Sequence, residues 1–143
     1  MTPILRHAES DAEIARCFPV MRELRPDLPS AADFVAYARR QAPQGYRLLA
    51  AWRGETPVAL AGYRHQENLV HGHHLFVDDL VALEGERRQG HGARLLDHIF
   101  GEAQALRYRK VVLGAALDNF LGHRFYFRQG MLATAFSFSR VVN

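Results

Sequence analysis

A chain of 143 residues, 48% hydrophobic and 23% charged, holds enough apolar material for one globular core, so a single domain over 1–143 is expected. No apolar run approaches the roughly 18 residues that cross a bilayer, which argues against a membrane partner. The net charge of +3 is too weak to predict a nucleic-acid partner but suits a polyanionic ligand. The opening Met-Thr-Pro-Ile-Leu-Arg-His lacks the regions of a signal peptide, and the lone Cys17 has no intrachain partner for a disulfide. Both features predict a reducing cytoplasm.

Ile4 to Arg6 reads as a short first strand. Ser10 and Glu13 then stand at capping-box spacing, ahead of Ile14, Phe18, Met21 and Leu24 at helical spacing. A helix from Asp11 to Leu24 follows, with Pro19 expected to kink or divide it. Cys17 reads as a small core residue. Arg25 to Pro29 is a loop, and Ser30 caps a second helix through Phe34 and Tyr37 to Gln41. From Tyr46 the period changes to two. Strands Tyr46–Trp52 and Pro57–Arg64 flank an Arg53-Gly54-Glu55 turn, and a third strand runs from His73 to Leu83 after a polar turn at Asn68–Gly72.

His71, His73 and His74 invite a metal reading. Strand alternation would place His71 with His73 and aim His74 the other way, which leaves two ligands and no nearby Cys, so no metal is expected. Asp78 and Asp79 carry more information, because Asp is a poor strand residue. One of them could bind a cationic amine and accept its proton, or both could make structural hydrogen bonds at a bulge. Alternation would aim the two at opposite faces.

The stretch from Val77 to Leu96 reads as strand, glycine turn and helix N-terminus. Such a turn directs unpaired N–H groups into one small volume that favours an anion. Gly90 and Gly92 leave room for a phosphate, and Arg87 and Arg88 add cations at the rim. A P-loop is excluded because Ala93-Arg94 follow Gly92, and a dinucleotide fingerprint because Leu95 stands where its third glycine would be. Leu95, Leu96, Ile99, Phe100, Ala103 and Leu106 form the buried stripe of a helix over His91–Leu106. Lys110 to Gly114 is an apolar strand, so Leu75 to Leu113 reads as a right-handed parallel crossover. Asp118 or Asn119 caps a last helix to Arg128, ending at Gly130. Met131 to Val142 alternates loosely as one or two closing strands.

Three segments in this order, Asp78-Asp79-Leu80-Val81, Arg87-x-x-Gly90-x-Gly92 and Asn119-x-x-Gly122-x-x-Phe125-Tyr126-x-x-x-Gly130, resemble the motifs of the GNAT N-acetyltransferase superfamily. The ending Phe136-Ser137-Phe138-Ser139-Arg140 is similar to the last strand of a small single-domain bacterial branch. The resemblance implies an α/β (α+β) fold: a mixed sheet of about six to seven strands, about four flanking helices, and splayed central parallel strands beside a bulge near Leu80.

It further implies acetyl-CoA as co-substrate and an amine acceptor, either a small molecule or a peptide amine. The backbone of Leu80, Val81 and Ala82 would pair with the pantetheine arm. Gln89, Gly90, His91, Gly92 and Ala93, with Arg87 and Arg88, would hold the pyrophosphate. Asn119 would contact the cofactor arm, and Tyr126 would give a proton to the departing thiolate. Direct transfer in a ternary complex fits these roles, with Asp78 first and then Asp79 or His73 as the base. A non-catalytic acyl-CoA-binding module is the alternative, and a homodimer is implied by the family. Two departures stand out. The Gly114-Ala115-Ala116-Leu117-Asp118 segment lacks the polar residues of relatives, and Gly122 stands where they carry Ala.

Overall fold

The computed structural model of the protein describes residues 2–143, which form two compact units divided between Val112 and Leu113. The first unit is built on a mixed sheet in the order β1-β2-β3-β4-β5. Its strands are β1 (Ile4–His7), β2 (Arg47–Arg53), β3 (Thr56–Asn68), β4 (Gly72–Ala82) and β5 (Lys110–Leu113). Adjacent pairs from β1 to β4 are antiparallel. A two-residue loop joins β2 to β3, with Gly54 at φ 61° in the first central position that a tight hairpin reserves for glycine.

Helices cover both faces of this sheet. On one lie α1 (Asp11–Arg16), α2 (Phe18–Leu24) and α3 (Ala31–Gln41), and on the other α4 (His91–Ala105). The period of two sorts the β2 side chains. Tyr46, just before the strand, and Leu48, Ala50 and Trp52 within it pack with Ile14, Cys17, Val20, Met21, Phe34 and Ala38. Leu49 and Ala51 face the other way, where Leu95, Leu96, Ile99 and Ala103 of α4 are buried.

The expected Asp11–Leu24 helix is divided at Cys17, which ends α1 and begins α2, and Pro19 sits in the first turn of α2 where its missing N–H costs nothing. Cys17 is fully buried, and desolvation pushes its thiol up to about 12, the state of an inert core residue. The second unit carries α5 (Phe120–Arg128).

Two expectations change. Among the described residues the sheet has five strands rather than six to seven, because Met131 to Val142 joins no ladder and is mostly exposed. The α-helices among the described residues number five, the first having split.

Candidate active site

The site grows from an irregularity in β4. Gly62 pairs with Asp79, yet the next residue of β3, Tyr63, pairs with Val77, so Asp78 is an extra residue bulged out of the ladder. The bulge falls two residues before Leu80. It also overturns the expectation that the two aspartates face opposite ways, because a bulge re-aims the side chains around it. Arg64 Nε and Nη2 donate to Asp78 Oδ2 at 2.8 and 2.5 Å. The same guanidinium reaches Gln41 and Tyr37 of α3, which places the Asp78 carboxylate on the helical face. Asp79 is there too, at 8% exposure, held by Arg25 Nε at 2.8 Å and Nη2 at 2.7 Å, both on Oδ1. Arg25 Nη2 also donates to the Asp78 carbonyl at 3.1 Å.

The other oxygen of Asp79 points toward Gly62. A methyl group on Gly62 would lie 3.1 Å from Asp79 Oδ2 and overlap the Tyr46 hydroxyl, so glycine is needed for the carboxylate and phenol to share this space. The Tyr46 hydroxyl is buried without a hydrogen-bond partner. Burial raises the pKa of the Asp79 carboxyl, opposed by Arg25, and burial followed by the Asp79 charge raises that of the Tyr46 phenol. Arg25, Arg64 and Tyr46 were not singled out from the sequence. Arg25 stands 54 residues from Asp79 in a proline-flanked loop, with no local signal for the pairing. For Arg64 the signal would have been the register of β3 against β4, with the bulge placed at Asp78.

Beyond the bulge, Leu80, Val81 and Ala82 pair with Ala61, Leu60 and Ala59 of β3 on one side. On the other side β5 begins beside His73, where Arg109 N donates to His73 O at 3.3 Å. Four residues long, it runs out before Leu80. The backbone edge of Leu80–Ala82 opposite β3 therefore carries no strand among the described residues, leaving main-chain groups for an extended ligand.

A 3₁₀ turn at Glu84–Glu86 then leads to α4. Gly90 is its N-cap at φ 81°, and no side chain caps it. The first helical bond runs from Arg94 N to Gly90 O, so the amides of His91, Gly92 and Ala93 lie ahead of the ladder. Space for a side chain at Gly90 is open, and Arg88 adopts a left-handed φ of 65°. Arg87, Arg88, Gln89 and Gly90 are exposed. The turn is fixed from beneath, where Glu86 accepts from Arg53 Nη1 at 2.5 Å and pairs with the buried His91 Nε2 at 3.0 Å. Glu23 of α2 accepts from Glu84 N at 3.0 Å. These residues fit an anion: the amides are uncapped, Glu86 against the helix start is paired with Arg53, and Glu23 reaches Arg87 Nη2 only at 3.9 Å.

In the second unit, Asn119 caps α5 by accepting from Gly122 N at 3.1 Å. A methyl group at Gly122 would overlap the Asn119 amide, which accounts for the glycine at a position where alanine was expected. Tyr126 is half-buried, its ring 5.4 Å from that of Phe125, and burial raises its phenol pKa.

The histidines part company. His71 lies in the turn before β4, so alternation does not govern it. Its Nδ1 is 3.1 Å from Lys110 Nζ, and its ring is 5.2 Å from that of His74 rather than beside His73. His73 stacks on Tyr108 and pairs with Glu67, while His74 is buried with Nδ1 2.8 Å from Gly72 O.

Uncapped amides after a β-strand, an open strand edge and a bulge beside it form one assembly, and the Acetyltransferase (GNAT) family profile matches residues 11–131. The chain belongs to the GNAT acetyltransferase family. The uncharacterized N-acetyltransferase YhdJ of Bacillus subtilis (strain 168) is 30% identical to it over 126 residues, 85% of this chain and 86% of that protein. A putative acetyltransferase from Agrobacterium tumefaciens str. C58 shares its fold with a TM-score of 0.83 at 23% identity, over 97% of this chain and 99% of that one. The aminoglycoside N-acetyltransferase AAC(6')-Iy, solved in complex with CoA, does so at 0.86 and 12% identity, over 99% and 96%. This GNAT chain is thus an acetyltransferase.

Proposed function

We propose that this acetyltransferase moves an acetyl group from acetyl-CoA to a primary amine by direct attack in a ternary complex, with residues 1–143 acting as one domain. The observation that carries the reading is the uncapped start of α4 beside the strand-free edge of β4. The amides of Gln89 to Ala93, with Arg87 and Arg88, hold the pyrophosphate. Leu80, Val81 and Ala82 pair with the pantetheine arm as a strand would, and the Asn119 amide contacts it. Proximity supplies much of the rate, and a backbone amide near Val81 stabilises the oxyanion.

Asp79 takes the proton from the incoming ammonium. Asp78 stands first in the order expected from sequence and has Oδ2 held by Arg64 just as Asp79 has Oδ1 held by Arg25; what favours Asp79 is its burial in the wall of the cavity under α2 and α3. Tyr126 protonates the thiolate, a role its raised pKa suits because the phenol stays protonated at neutral pH. The protein works in the cytoplasm as a homodimer, without nucleic acid or membrane. Among the described residues no helix is long and apolar enough to cross a bilayer, and the exposed Leu132, Phe136 and Phe138 offer apolar surface for a second copy.

Thiol release from acetyl-CoA, measured against varied amine, tests the reading. Amine-dependent release with intersecting initial-rate lines is expected. Parallel lines would reveal a covalent acetyl-enzyme, and no amine-dependent release would sink the proposal.

A further inference from the structure

A cavity of about 230 Å³ lies against Asp79, lined by Met21, Arg25, Leu28, Phe34, Tyr37 and the carboxylate itself. Its walls come from the end of α2, the loop after it, and α3. They are apolar apart from Arg25, the carboxylate and the Tyr37 hydroxyl. Apolar cavities of roughly 150 Å³ hold a benzene ring, so this one has room for a phenyl or branched alkyl group and a short methylene stem.

The charge around it is balanced. Asp78 is paired with Arg64 and Asp79 with Arg25. Among the lining residues no surplus carboxylate remains to attract a second or third ammonium group, and the Arg25 side chain, 55% exposed, sets a positive charge there. Asp79 belongs both to the cavity wall and to β4 one residue before the open Leu80–Ala82 edge, so a group seated in the cavity presents its nitrogen where cavity and edge meet.

Resting on the acetyl-transfer reading above, we infer that this cavity is the acceptor site and that the acceptor is a monoamine with an apolar aryl or alkyl body, not a polycation. The ammonium leaves one proton on the free oxygen of Asp79. The neutral nitrogen forms the carbon–nitrogen bond as the carbon–sulfur bond breaks, the sulfur departs with a proton from Tyr126, and the second proton shed by the nitrogen restores the Tyr126 phenol through solvent. The products are the N-acetyl amine and CoA thiol. Burial of the protonated carboxyl is favourable, since desolvation disfavours its charged form.

The test uses the full chain and two probes, phenethylamine as the apolar monoamine and tobramycin as the polycation, after acetyl-CoA binding has been measured separately. We expect kcat/KM for phenethylamine to exceed that for tobramycin by at least about tenfold. Leu28→Trp, a half-exposed loop position, fills the cavity. It should raise the phenethylamine KM about tenfold or more and leave the acetyl-CoA Kd within about twofold. Preference for tobramycin, or a KM indifferent to Leu28→Trp, would overturn the inference while leaving acetyl transfer intact. If acetyl-CoA does not bind, the acetyl-transfer reading fails by itself, and the cavity is then judged by ligand-observed NMR of phenethylamine. Binding removed by Leu28→Trp supports the cavity as an apolar-amine site, and no binding overturns it.

Discussion

In the proposed reaction Asp79 and Tyr126 carry opposite halves of the proton traffic, and their environments separate them. The Asp79 carboxyl is raised by burial, so its base form is populated only as pH climbs above the ordinary aspartate range. Its kcat/KM is therefore expected to rise with pH through an apparent value above 3.8, and Asp79→Asn should abolish that limb and lower kcat/KM about 100-fold. A pH-rate profile of both proteins checks this. The same shift acts on stability. The folded state binds this proton more tightly than the unfolded one, so the Asp79 contribution is fully present below the unfolded pKa and is lost as pH rises through the folded value. Tyr126→Phe should cut kcat about 100-fold or more with the acetyl-CoA Kd unchanged, measured by steady-state kinetics beside calorimetry. Unchanged kcat would remove Tyr126 from the chemistry. The two aspartates were legible because Asp is out of place in a strand. That both face α2 and α3 was not, since the bulge depends on the register against β3.

Among the elements, α1 shows how far local sequence reaches. Ser10 Oγ accepts from Glu13 N at 3.1 Å, and Glu13 Oε1 accepts in return from Ser10 N at 3.2 Å, the reciprocal cap that the spacing predicts. The Ser10 amide and then Arg6 hold the Glu13 carboxyl down at about 2. With the folded value below the unfolded 4.5, this stabilisation is complete above pH 4.5 and lost as pH falls toward 2. Ser10→Ala should cost about 1 kcal/mol at neutral pH, and Glu13→Gln should flatten the acid limb of a denaturation series. Gly62 in β3 is the contrasting case. Nothing nearby in sequence marks it, yet Gly62→Ala would push Tyr46 and Asp79 apart. Urea melts should show a loss of about 1–3 kcal/mol, with activity falling further than stability explains. The closing strands failed for a related reason. Leu132, Thr134, Phe136 and Phe138 alternate as a half-buried strand would, but a strand needs a partner edge, and none pairs with them among the described residues.

Across the whole molecule, the order of elements from β1 to α5 followed from periodicity, caps and glycine turns, because each is set within a few residues. The anion cradle was legible for the same reason: strand, turn and helix start are contiguous from Val77 to Leu96. The acceptor cavity was hidden, since its lining is drawn from residues 21 to 79 and assembled only by packing α2 and α3 over the bulge. The central claim is that the uncapped start of α4 binds the pyrophosphate of acetyl-CoA. Calorimetric titration of the wild-type protein and of Gly90→Val tests it most directly. Gly90 sits at φ 81°, so valine strains the turn that presents the amides. Binding near ~10 µM in the wild type, weakened about tenfold or more in the variant while both melt cooperatively, is the predicted result. Equal affinity in the two proteins, or no binding by either, would contradict it.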